Sequence, residues 1–107
     1  KIIGICREVH NSLGSGGLGV VYKDALAYEC LKEDIPFERE KMYDVNYKGV
    51  ILPHKFYADF VVYDNIILEV KGCSGIADEF VAQAINYLKV SRKELALIVN
   101  FGELKLN

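Results

Sequence analysis

The apolar and polar positions of this chain follow two periods, one helical and one of two residues. From Ile2 to about Ser12 the spacing is helical, and Gly14-Ser15-Gly16-Gly17 breaks it as a turn between helices. A second helix is predicted from about Leu18 to Glu33. There Val21, Ala25, Tyr28 and Leu31 recur at helical spacing, as do Tyr22, Leu26 and Glu29. Pro36 stops it. Period two then takes over: Tyr43, Val45 and Tyr47 alternate with Asp44 and Asn46, and Lys48-Gly49 reads as a hairpin turn. Val50 to Leu52 and Phe56 to Tyr63 continue the sheet on either side of Pro53, and Ile66 to Lys71 is the third long strand. After a loop at Gly72 to Gly75, Ile76 to Val90 is the clearest amphipathic helix. Ile76, Phe80, Ala84 and Leu88 form its stripe, widened by Val81 and Ile85. Leu95 to Val99 is a continuous apolar run, expected as a buried strand parallel to its neighbour. Phe101-Gly102 bends the chain, and Glu103 to Asn107 is a candidate final strand. The order α-β-β-β-α-β predicts an α/β fold with a mixed central sheet flanked by helices.

Two of these strands carry charge where apolar residues dominate. Asp59 lies within Ala58-Asp59-Phe60-Val61-Val62-Tyr63, and Glu69 and Lys71 lie within Ile66-Ile67-Leu68-Glu69-Val70-Lys71. An ionised carboxylate in such a strand is costly unless something compensates it. Glu69 and Lys71 share a face because side chains alternate along a strand. Asp59 joins them only in one register. A two-residue turn at Asp64-Asn65 pairs Asp59 with Val70 and separates the carboxylates. A three-residue turn at Tyr63-Asp64-Asn65, with a left-handed Asn65, pairs Asp59 with Glu69. The odd-length turn is expected, or a bulge that has the same effect.

Composition narrows the picture. The sequence has 107 residues, 51% of them hydrophobic, which suits one domain spanning 1–107 with a real core. No run of 18 apolar residues occurs, so no membrane span is expected; no signal peptide is visible. The chain begins at Lys1, partway into a helical pattern, as a trimmed chain or part of a longer one would. Cys6, Cys30 and Cys73 are widely spaced, which argues against a disulfide framework or a zinc site and for a reduced, cytoplasmic protein. Cys73 shares strand parity with Glu69 and Lys71 and is expected as a small filler near them. His10 and His54 are too far apart for a histidine metal motif. A net charge of −2 excludes general coating of nucleic acid, so any such contact must be local. Lys48 and Lys55, or Lys89, Arg92 and Lys93, are the basic candidates; the latter three equally suit a helix C-terminus.

Asp59, Glu69 and Lys71 in register would suit phosphodiester hydrolysis. Carboxylates hold Mg²⁺ or Mn²⁺, which activates water and neutralises developing charge. Lysine supplies a compact positive charge for the water or the transition state. In this reading Asp59 and Glu69 are metal ligands, the Val70 carbonyl is a third, and Lys71 is catalytic. The plainer alternative is a strand salt bridge, because Glu-x-Lys alone is unspecific. Gln83 and Tyr87, four apart on one helix face, would contact a substrate phosphate or orient the lysine. Equally, the glutamine faces solvent and the tyrosine caps the core.

The ordered set Asp59, Glu69-Val70-Lys71 and Gln83-Ala84-Ile85-Asn86-Tyr87 resembles the PD-(D/E)XK nuclease superfamily, in particular RecB-type nucleases with a Q-x-x-x-Y motif. More closely, the chain resembles the small bacterial GxxExxY family over nearly its whole length. Val9-His10-Asn11-Ser12-Leu13-Gly14, Val21-Tyr22 and Asn100-Phe101-Gly102 also carry the likeness. The resemblance implies a restriction-endonuclease-like fold, a Mg²⁺- or Mn²⁺-dependent nuclease site on the central hairpin, and nucleic acid as partner, DNA ahead of RNA. It carries the ligand roles to Asp59 and Glu69, the catalytic role to Lys71 and supporting roles to Gln83 and Tyr87. One departure is sharp. The motif Gly-x-x-Glu-x-x-Tyr falls on Gly16 to Tyr22, and its glutamate position is Gly19. The site would then work with Asp59 and Glu69 alone, borrow Asp24 or Glu29, or be degenerate. Asp24 lies off the required face and Glu29 nearly three turns away. The competing function is a catalytically silent nucleic-acid- or protein-binding module on the same fold. A homodimer through a sheet edge or the Phe56–Tyr57 region is a third expectation.

Overall fold

The computed structural model describes residues 1–72, 78–93 and 95–102, with only the backbone of 78 and 79. Cys73, the helix start at Ile76 and the strand candidate at 103–107 lie outside the described residues. Helices α1 (Ile2–Leu13) and α2 (Gly19–Lys32) come first. Strands β1 (Phe37–Tyr43), β2 (Asn46–Tyr47), β3 (Val50–Ile51), β4 (Phe56–Val62) and β5 (Ile66–Lys71) follow, then α3 (Asp78–Ser91) and β6 (Leu95–Asn100). The main sheet has the order β1-β4-β5-β6, antiparallel except for the parallel β5–β6 pair. The expected mixed sheet and its parallel last strand are therefore present. The alternation through Tyr43, Val45 and Tyr47 does not form one continuous strand. The chain breaks at Asp44-Val45, and β2 and β3 form a separate ribbon around Lys48 and Gly49, whose φ values are 51 and 86°. Positive φ at both central residues is the turn that matches strand twist.

Two cores lie on opposite faces of the sheet. On one, Ile2, Ile5, Cys6 and Val9 of α1 and Tyr22, Leu26 and Cys30 of α2 pack on Phe60, Val62, Leu68, Val70 and Val99. On the other, Tyr87 and Val90 of α3 pack on Phe56, Ala58, Val61, Ile67 and Ala96. Of the two apolar stripes anticipated for α2, only the one through Tyr22 and Leu26 is buried; Val21, Tyr28 and Leu31 face solvent. Val81 and Ile85 of α3 are likewise exposed, so the stripe is narrower than expected. Phe56 is buried and stacks on Tyr87 at 3.7 Å between ring centroids, which removes it from any dimer surface; Tyr57 remains exposed.

Tyr22 sets the α2 face. Its ring is fully buried and stacks on Phe101 at 4.5 Å and 7°. Its hydroxyl donates to the Gly14 carbonyl at 2.7 Å and accepts the Gly17 N–H at 2.8 Å. The glycine-rich segment is thus a turn fastened by Tyr22. A Cβ at Gly17 would meet the Tyr22 hydroxyl at 3.1 Å, so the turn needs glycine there for close approach. Cys6 and Cys30 are free and buried, and burial pushes the Cys6 thiol up to about 12, which keeps it neutral and inert. Among the described residues, no helix is long and apolar enough to cross a membrane.

Candidate active site

The β4–β5 hairpin has the odd-length turn. Val62 pairs with Ile66, Val61 with Ile67 and Phe60 with Leu68, leaving Tyr63, Asp64 and Asn65 between the strands. The left-handed residues differ from expectation: they are Tyr63 (φ 52°) and Asp64 (φ 65°), not Asn65. The Asn65 N–H donates to the Val62 carbonyl at 3.2 Å, closing a tight turn one residue earlier, and Asn65 is the extra residue before the ladder. The ladder ends at Phe60↔Leu68, one residue short of Asp59 and Glu69, whose carboxyl groups lie within hydrogen-bonding reach of each other.

A second irregularity shapes the site. In a regular strand Ala58 and Phe60 would share a face. Here Phe56 and Ala58 pack with α3, whereas Phe60 and Val62 pack with α1 and α2. The alternation inverts at Asp59. It inverts in β1 at the same level, where Phe37 sides with the first core and Tyr43 with the second. Arg39 pairs with Phe60 and Lys41 with Ala58, and between them Glu40 adopts φ 53°. Each strand contributes one irregular residue, so the pairing resumes without a slip. The inversion acts like a bulge and re-aims a side chain. It puts the Asp59 carboxylate within reach of β5 and α2.

Both elements use it. From β5, the Val70 N–H donates to Asp59 Oδ2 at 2.8 Å. From α2, Lys23 Nζ lies 3.0 Å from Asp59 Oδ1 and 3.4 Å from Glu40 Oε1. Glu69 is 4% exposed, and its Oε1 is buried without a hydrogen-bond partner among the described residues. Burial pushes Glu69 up to about 8, reinforced by the hydrogen bond and charge of Asp59 and opposed by Lys71. Asp59 goes the other way. Burial alone would raise it, but its hydrogen bonds to Glu69, the Val70 amide and Lys23 hold its carboxyl below the ordinary value. Lys23 is raised: burial works against its charge, and the Asp59 contact outweighs that.

Lys71 lies on the α3 side. Its Nζ donates to Gln83 Oε1 at 3.2 Å and sits 4.9 Å from the Phe80 ring centroid. Gln83 also hydrogen-bonds Tyr87, whose phenol is raised first by burial and then by the charges of Glu69 and Asp59. Gln83 thus stands at the lysine, and Tyr87, near the carboxylates, is also a core residue. Three of the basic candidates elsewhere are engaged locally. Lys55 pairs with Asp44 at 2.8 Å, Lys48 lies over Tyr47, and Lys93 donates to the Asp64 carbonyl at 2.7 Å, at the other end of β5 from Lys71. Asp24 pairs with Arg39 at 2.8 Å. Lys23 and Glu40 are the site residues that strand patterns did not reveal. The one sequence clue to Lys23 is its place four residues, about one helical turn, after Gly19.

The donor set fits one divalent cation sparingly. Among the described residues no group of three His, Cys, Asp or Glu side chains converges. Yet Mg²⁺ commonly takes one or two carboxylates and completes its shell with water and substrate oxygens. The orphaned Glu69 Oε1 beside Asp59 is a donor in need of such a partner. Glu69 binds a proton in the folded chain between its ordinary 4.5 and about 8 that the unfolded chain does not. Its contribution to metal-free stability is therefore present below 4.5 and is lost as pH rises through about 8. A metal ion needs the deprotonated form. The rise in Tm on adding Mn²⁺ is expected to grow with pH across that window, measured by thermal unfolding; a shift that shrinks with pH would contradict the assignment.

No curated protein and no solved structure gives a significant match to the chain. A family model of the PD-(D/E)XK nuclease superfamily matches residues 1–107, the whole sequence, and with the mixed, helix-flanked sheet of a restriction-endonuclease-like fold the chain belongs to that superfamily.

Proposed function

We propose that the chain is a divalent-metal-dependent nuclease that hydrolyses nucleic-acid phosphodiester bonds, DNA ahead of RNA. The observation that carries this reading is the convergence of Asp59, Glu69 and an oriented Lys71 at one end of β5. Mg²⁺ or Mn²⁺ held by Asp59 and Glu69, with the Val70 carbonyl as a further donor, would activate water and offset phosphate charge. Lys71, steadied by Gln83, places a positive charge against the phosphoryl oxygens. Tyr87 backs Gln83 and closes the site against the second core. The buried neutral thiol of Cys6 suits a reducing, cytoplasmic setting.

Gly19 weakens the site rather than the helix. It is the first residue of α2, where the mid-helix penalty does not apply, and a Cβ there meets nothing within 4 Å. A Gly19→Glu change is therefore structurally cheap, and a carboxylate suits a helix N-terminus. In Mn²⁺, cleavage of single- and double-stranded DNA and RNA is expected from the native chain. Gly19→Glu should raise it by about 10–100-fold, the scale at which partners of a metal site act. Gly19 and the Lys23–Asp59 pair also favour a second reading, a binding module without cleavage. That reading expects salt-sensitive nucleic-acid binding and no products from either chain.

A further inference from the structure

We propose that Lys23 is the resident counterion of the carboxylate pair, its ammonium standing beside Asp59 where a divalent cation would bind, so that metal binding competes with it. The inference rests on the nuclease reading of this site and names the residue that governs its metal requirement.

Three observations support it. Both Asp59 oxygens are engaged: Oδ2 by the Val70 N–H at 2.8 Å and Oδ1 by Lys23 Nζ at 3.0 Å. The Val70 amide is neutral and leaves Oδ2 a further lone pair, so Lys23 is the positive charge with which a cation competes at Asp59. Second, Lys23 has another anchor in Glu40 Oε1 at 3.4 Å, and Glu40 reaches it from the left-handed residue opposite Asp59. The strand irregularity that aims Asp59 at α2 also supplies the second contact to the lysine. Third, the preceding turn of α2 carries Gly19, which has no side chain and open space around it. That face of α2 thus brings a cation to the site and no carboxylate.

The lysine side chain is 23% exposed and its Asp59 partner 15%, so the pair is better shielded than a surface salt bridge. Lysine also suits a displaceable role. Its ammonium is a compact, strongly hydrated charge on a flexible stem, without the bidentate grip of arginine. An ordinary surface ion pair would leave metal affinity unchanged; a counterion in the metal's place would not. An opposite charge within about 4–6 Å changes a carboxylate's affinity for a proton by about 1–3 pKa units. A similar sensitivity applies to a metal ion that competes for the same oxygen.

The test is Mn²⁺ binding by titration calorimetry on the full chain, with circular dichroism to confirm folding. Lys23→Met is expected to bind Mn²⁺ at least about tenfold more tightly than the native chain. Lys23→Gln provides the same neutral test should the methionine variant fail to fold. Lys23→Arg keeps the positive charge and should stay near native, and Glu69→Gln should lose affinity. Equal Mn²⁺ affinity in the native chain and the neutral variants, with loss in Glu69→Gln, would overturn the counterion role and leave the metal site standing. No Mn²⁺ binding by native or neutral variants would overturn both.

Discussion

Lys71→Ala is expected to lower metal-dependent cleavage by about 10²–10³-fold, the scale on which removal of one charge-stabilising group acts. The reason is position. The Lys71 ammonium is not a free surface charge but is held by Gln83 at 3.2 Å and the Phe80 ring at 4.9 Å, on the same strand and face as Glu69. Its loss should fall on kcat, because the charge matters most where the phosphoryl oxygens become more negative. A second signature follows. Lys71 opposes the upward pull of burial and Asp59 on Glu69. Without it Glu69 should hold its proton to still higher pH, and the residual activity should move to a more alkaline profile. Gln83→Ala should give a smaller loss, since it leaves the charge and removes only its support. Steady-state cleavage across pH checks all three; a Lys71→Ala chain with native kcat would exclude the lysine from the chemistry.

Tyr22→Ala is expected to cost about 3–5 kcal/mol of stability, the range for a large aromatic removed from a core. For a chain of this size about 1 kcal/mol moves Tm by roughly 4–8 °C, so the variant should be largely unfolded under ordinary assay conditions. Tyr22 joins three parts of the fold: α2, the glycine turn through Gly14 and Gly17, and Phe101 after β6. Tyr22→Phe keeps the stacking and loses the hydroxyl, which leaves the Gly14 carbonyl and Gly17 N–H without that partner. About 1–3 kcal/mol is expected there. Denaturant unfolding of the two variants separates the ring from the hydroxyl. Equal losses would contradict this division. The prediction bears on the site because α2 also carries Lys23, so a loosened Tyr22 should weaken the Lys23–Asp59 contact.

The sequence makes the hairpin legible because register is discrete. An odd-length turn, or a bulge in its place, lets Asp59 meet Glu69, and Val62↔Ile66 shows the odd turn. The left-handed positions were less accessible, since Tyr63 is an unfavourable choice for φ 52°. The inversion at Asp59 and Glu40 leaves no trace in the alternation of residue types, because both faces of β4 are apolar. On α2, apolar residues occur on several sides, and periodicity alone could not select the Tyr22–Leu26–Cys30 face. Lys23 was hidden for another reason: it lies 36 residues before its partner, and only the folded helix brings them together. Gly19, by contrast, is visible as a departure from the motif the sequence resembles, and the structure leaves its position open. Pro53 and the turn at Lys48-Gly49 marked a break, yet not that β2 and β3 would leave the main sheet.

The most direct measurement is product release from end-labelled single- and double-stranded DNA and RNA by the native chain, with Mn²⁺ and with EDTA, beside Lys71→Ala. Cleavage in Mn²⁺ that stops with EDTA and is lost in Lys71→Ala is the predicted result. Stable, salt-sensitive binding of every substrate without a cleaved product in Mn²⁺ would contradict the nuclease assignment and leave a binding module on a nuclease fold.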